Sequence, residues 1–155
     1  MTDANLSPHF TLAEFTASAT ARRLGLSNAP SPQHRANLAQ TAAGMEQVRK
    51  ILGDKPIQVT NAYRAPAVNK AVGGVANSDH CLGWAVDFKC PSFGDPFQVA
   101  MALSRSKLVY DQLIHERKPD GAWWVHLSFN PRRRQQDLTY DGKTYHPGVR
   151  QVIFR

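Results

Sequence analysis

The residues best suited to chemistry lie in Ser78-Asp79-His80-Cys81-Leu82-Gly83-Trp84-Ala85-Val86-Asp87, where a histidine and a carboxylate stand on either side of a glycine. A second histidine follows in Trp123-Trp124-Val125-His126, on an apolar, strand-like run. Two imidazoles and one carboxylate are a usual three-ligand set for catalytic zinc, with the fourth position left to water or substrate. Structural zinc sites take four protein ligands, often thiolates, and this chain has only two cysteines. Convergence of His80, Asp87 and His126 would make an open zinc site, and the first chemistry of such a site is hydrolysis.

The elements that must position these residues can be read from pattern. Thr11 is a cap for a short helix with Glu14 in its first turn. Ser31-Pro32 opens a longer helix whose Leu38, Ala42, Met45, Val48, Ile51 and Leu52 recur at three and four, and Gly53 ends it. Pro56 to Tyr63 alternates as a strand, and Ala65 to Val72 reads as a short helix stopped by Gly73-Gly74. Gly83 to Lys89 reads as a strand, and Asp95-Pro96 caps a helix reaching Leu103 or Lys107. Val109 to Glu116 and Trp123 to Phe129 are two strands around a Lys118-Pro119-Asp120-Gly121 turn, and Tyr140 to Tyr145 could form a further small hairpin. Helices precede strands without strict alternation, so the class is α+β: a small, mostly antiparallel sheet with helices packed on it.

The expected hairpin pairs Ile114 with His126 and Glu116 with Trp124. Alternation then places Glu116, Ile114, His126 and Trp124 on one face, with Glu116 a diagonal neighbour of His126. There Glu116 could serve as general base toward a water at the metal, whereas a register slip of one residue would turn it away. His115 points to the other face. A tetrahedral intermediate needs a further positive group, for which Arg64, at the end of its strand, is the candidate; the alternative is an ordinary surface arginine. His9, His34 and His146 lack ligand-spaced partners and are expected at the surface, and Asp79 could be a loop residue without a role.

Ser78-x-His80-x-x-Gly83-x-Ala85-x-Asp87 followed by Trp-x-His126 resembles the zinc D-Ala-D-Ala carboxypeptidases and the related phage endolysins that cleave peptidoglycan stem peptides. Tyr63-Arg64-Ala65-Pro66 and Asp111-Gln112-Leu113-Ile114-x-Glu116 are similar to further segments of that family. The resemblance runs from about His9 to Phe129. It implies a Hedgehog/DD-peptidase fold, Zn2+ held by His80, Asp87 and His126, Arg64 as oxyanion stabiliser or substrate ligand, and Ser78 as a substrate-binding or orienting residue. It leaves the cleaved bond open between D-Ala-D-Ala carboxypeptidase and L-Ala-D-Glu endopeptidase types. Many members place the base three residues before the last histidine, where this chain has Trp123. Glu116 must then act from the neighbouring strand, with Asp120 as fallback, or the base is missing and the domain is a non-catalytic zinc-containing module that binds cell wall or a partner.

A chain of 155 residues suits one domain, with a core over about 9–129 and a basic C-terminal extension over 130–155. The formal charge of +7, densest at Arg132-Arg133-Arg134, suggests either a solvated basic face or an anionic partner such as cell-wall polymer. No nucleic-acid-binding motif accompanies the charge, and no apolar run reaches the about eighteen residues that span a membrane. Met1 to Pro8 does not read as a signal peptide, so synthesis in the cytoplasm and action on the wall after membrane breach is the expectation. Cys81 and Cys90 are expected as buried thiols, and a monomer is expected.

Overall fold

The computed structural model describes residues 5–153. A small hairpin of β1 (Asn5–Ser7) and β2 (Phe10–Thr11) leads into the helices α1 (Leu12–Thr16), α2 (Ala19–Leu24) and α3 (Pro32–Ile51). Next come β3 (Gln58–Asn61), α4 (Pro66–Ala71), a 3-10 turn (Asp79–Leu82), β4 (Ala85–Lys89) and α5 (Pro96–Ser104). The strands β5 (Gln112–Arg117), β6 (Trp123–Ser128), β7 (Gln136–Tyr140) and β8 (Tyr145–Pro147) follow. None of the described helices is long and apolar enough to cross a membrane.

Local signals account for most helix starts. Thr11 and Glu14 form a reciprocal capping box, as do Asp95 and Gln98 at α5. Ser31 caps α3, with Pro32 at its first position. The first hairpin and α2, which Ser18 caps and Gly25 closes in a left-handed conformation, were not read from the sequence. They are too short for a periodic pattern to register.

The main sheet has the order β3-β4-β6-β5-β7-β8. It is mixed rather than mostly antiparallel, because β7 lies parallel to β5. The cause is topological. β6 runs back along β5 and ends beside its start, with Ser128 opposite Gln112. The short connection from Phe129 to Gln135 crosses that end and delivers β7 at the same point, with Gln136 opposite Gln112. Arg133 and Gln135 adopt positive φ of 49° and 54° to make the crossing. Residues 136–147, expected within a basic extension, thus supply β7 and β8 of the main sheet.

Alternation gives the sheet two faces. Val86 and Phe88 on β4, Leu113 on β5, and Val125 and Leu127 on β6 join Leu38, Ala42, Met45 and Val48 of α3 in one buried cluster with Val99 and Leu103 of α5. Asp87, His126 and Ile114 are successive register partners and occupy the opposite face. Gly44 lets α3 approach the end of β6. A Cβ there would lie 2.5 Å from the Phe129 ring. Alanine normally favours a helix over glycine by about 1 kcal/mol, but overpacking costs about 1–3 kcal/mol. The clash therefore wins: Gly44→Ala should lower stability by about 1–2 kcal/mol in urea denaturation. Adding Phe129→Leu should recover part of the loss, and a stabilised single variant would show that the contact is loose.

Candidate metal centre

His80 sits in the 3-10 turn, not on an extended segment. Ser78 caps the turn by accepting a hydrogen bond from the His80 N–H at 3.1 Å. Gly83 ends it at φ 85°, where a Cβ would meet the His34 carbonyl at 2.8 Å. The turn is anchored to α3, since Asn37 Nδ2 donates to the Leu82 carbonyl at 2.8 Å and Thr41 Oγ1 to the Gly83 carbonyl at 2.6 Å. These bonds set where the imidazole enters the sheet's polar face.

His80, Asp87 and His126 come together as the sequence suggested, each with a potential ligand atom within 4.8 Å of the others. Asp87 Oδ1 lies 3.3 Å from His80 Nε2 and 3.0 Å from His126 Nδ1. The Ala62 carbonyl accepts from His80 Nδ1 at 2.6 Å, which leaves the Nε2 lone pair free for a metal. Asp87 is 2% exposed. Burial alone would raise its carboxyl, but the charge and hydrogen bonds of the two imidazoles hold it well below the usual carboxylate range. Burial lowers His126, but its hydrogen bond to Asp87 and the negative charges of Asp87 and Glu116 together outweigh this and raise it. The donor set fits a divalent cation: two imidazole nitrogens, one carboxylate, and no fourth histidine, cysteine or acid in the cluster among the described residues.

A cavity of about 320 Å³ opens over the three residues and is also lined by Arg64, Ser78 and Glu116. The expected register holds, with Ile114 opposite His126 and Glu116 opposite Trp124, so Glu116 faces the cleft. Lys118 Nζ reaches Glu116 Oε2 at 3.1 Å and lies 3.8 Å over the Trp124 ring. The Arg64 guanidinium donates from Nη2 to Ser78 Oγ at 3.4 Å, while its Nε is buried without a partner. Asp120 is not in the cleft: it is exposed at the hairpin tip and accepts from the Ala122 N–H at 2.9 Å. Trp123 belongs to the core-facing side, stacked on the buried His115 at 4.2 Å. Odd and even positions of one strand cannot share a face, so residue 123 cannot supply a base here.

Sequence reasoning missed a second layer of residues. Asp79, read as a possible idle loop residue, accepts from Ser128 Oγ at 2.7 Å, Asn130 Nδ2 at 3.1 Å and Arg132 Nη2 at 2.9 Å. Arg132 also reaches the buried Asp111 at 3.0 Å, and Arg134 grips both oxygens of Asp111 at 2.9 Å. Part of the basic cluster is thus spent on ion pairs beside the cleft. No spacing rule links these residues, because their partners are distant in sequence. His9 is exposed, as expected, and contacts Glu46 of α3 at 2.7 Å. His34 and His146 likewise have partners, Tyr63 and Asp141. Cys81 and Cys90 are buried free thiols.

The Asp111 pairing has a pH signature. Burial would raise its carboxyl, but the hydrogen bonds of Arg134 and the charges of both arginines hold it below the usual 3.8. A depressed carboxylate stabilises the fold fully above its unfolded value, and that contribution is lost as pH falls through the folded value. Asp111→Asn should therefore cost about 2 kcal/mol at pH 7. The gap to the unsubstituted protein should shrink below about pH 4. Urea midpoints at pH 7 and pH 3 check this; an equal gap at both would contradict the charge-based account.

Comparison with known proteins agrees with this geometry. A 60-residue stretch is 40% identical to a zinc D-Ala-D-Ala carboxypeptidase of Streptomyces albus G, covering 39% of this chain and 24% of that protein. The chain thus matches about a quarter of that relative's length. The family described as Peptidase M15 matches residues 8–128, which include every residue of the candidate centre, and the protein belongs to the peptidase M15 family.

Proposed function

We propose that the protein is a zinc-dependent peptidase that hydrolyses peptide bonds in peptidoglycan stem peptides. The convergence of His80, Asp87 and His126 at the floor of an open cleft carries this reading. Membership of the M15 family and the partial identity to a zinc D-Ala-D-Ala carboxypeptidase support it. His80 Nε2, Asp87 and His126 would hold the ion. Bound zinc would polarise the scissile carbonyl and lower the pKa of an attacking water from 15.7 toward about 7.

The remaining steps fall to the chain's own groups. Glu116 takes a proton from the attacking water as its oxygen bonds to the carbonyl carbon. It returns that proton to the leaving nitrogen as the C–N bond breaks. Lys118 holds the Glu116 carboxylate in place through its 3.1 Å contact. Arg64 donates toward the carbonyl oxygen as negative charge builds on it, and Ser78 holds the guanidinium and caps the turn that carries His80. The formal charge of +7 suits an anionic wall polymer. Together with the resemblance to phage endolysins, it motivates a lytic role in which a monomer reaches the wall once the membrane is breached.

The experiment is digestion of purified peptidoglycan with and without a chelator, with zinc restored and new termini identified by mass spectrometry. Chelator-sensitive release is expected. Glu116→Gln should retain one equivalent of zinc and lose about 100- to 10,000-fold in rate. Undiminished lysis by that variant would remove Glu116 as the base. Absence of cleavage by the zinc-loaded protein would replace the peptidase reading with a non-catalytic binding module.

A further inference from the structure

A second cavity, of about 290 Å³, adjoins the first and shares Arg64, Asp87 and Lys118 with it. Its other walls include Ser18 and Ala19 at the start of α2, Val68 of α4, Val72 just after it, and Trp124 of β6. Two donors on these walls stand out. Trp124 Nε1 and Arg64 Nε are both shielded from solvent, and neither has a hydrogen-bond partner. A buried N–H left unpaired costs about 1–3 kcal/mol, so native structures keep few of them. Two such groups bounding one cavity beside a reactive centre call for an oxygen acceptor. The nearby Arg64 and Lys118 charges select one that is anionic or strongly polarised. Trp124 lies two residues from His126 on the same strand face, so whatever it binds is held next to the ligand set.

We propose that Trp124 is a specificity-determining residue. It donates its indole N–H, together with Arg64 Nε, to a carboxylate or carbonyl oxygen of the substrate residue flanking the scissile bond. This rests on the peptidase reading above. The oxygen can come from two sources, a free C-terminal carboxylate or the carbonyl of a continuing chain.

The test compares the unsubstituted protein with Trp124→Phe, which keeps an aromatic ring beneath Lys118 and removes the N–H donor. The probes are a stem-type peptide ending in D-Ala-D-Ala and its C-terminal amide. Trp124→Phe should raise KM about tenfold with kcat little changed. A role through the Lys118–Glu116 contact would instead lower kcat. Calorimetric binding of the same peptides in the Glu116→Gln background, which does not rely on turnover, should weaken by the same factor. A filling substitution at the exposed cavity wall, Ala19→Leu, should weaken binding without touching any donor. If the free acid carries the whole effect, the acceptor is the terminal carboxylate; an equal effect on the amide assigns it to a carbonyl. Unchanged KM and unchanged binding in Trp124→Phe would overturn the proposal while leaving the peptidase reading intact. A protein that neither binds nor cleaves either peptide would remove the peptidase reading itself.

Discussion

The Asp87 carboxylate, buried between two imidazoles on the polar face of the sheet, is the interaction on which the rest depends. An isolated carboxylate would not remain ionised at that depth. It does so because His80 and His126 approach it from two separate elements, and that approach requires the fold to be complete. The strand carrying Asp87 is therefore both structural and functional: Val86 and Phe88 secure the core side while Asp87 faces the cleft. A shift of register by one residue would bury the charge among leucines and expose the valine.

The second imidazole comes from the neighbouring strand, in register with Asp87, and needs only regular pairing. The first comes from a 3-10 turn and needs much more. Its backbone is tied to α3 through Asn37 and Thr41, and its ring is oriented by the carbonyl of Ala62. Asp79, beside it, is tied to the end of β6 and to Arg132. Turn placement is thus set by four chain segments at once, which keeps a short irregular element in one position. Such outer contacts fix the tautomer and direction of a ligand and matter nearly as much as the ligand itself.

Charge is distributed unevenly around this centre. Arg132 and Arg134 line the cleft, yet they are engaged by Asp79 and Asp111. Lys118 is engaged by Glu116 and lies over Trp124. Arg64 differs, because its Nη2 reaches Ser78 while its Nε has no partner. In the function proposed above, the net positive charge would attract an anionic polymer at long range, whereas close recognition would fall to a few donors at the cavity walls.

The sequence by itself singled out His80, Asp87 and His126 as candidate metal ligands, most of the capped helices and the β5–β6 register that turns Glu116 toward the cleft. Each follows from short-range rules: residue chemistry, cap geometry, and the period of two along a strand paired through a tight turn. The parallel placement of β7, the anchoring of the His80 turn to α3, the Asp79–Arg132–Asp111–Arg134 ion pairs and the second cavity beside Trp124 were decided by tertiary structure alone. They join residues dozens of positions apart, by contacts that leave no periodic trace in the chain. Where β6 ends relative to β5 fixes where β7 must begin, and only the assembled sheet contains that information.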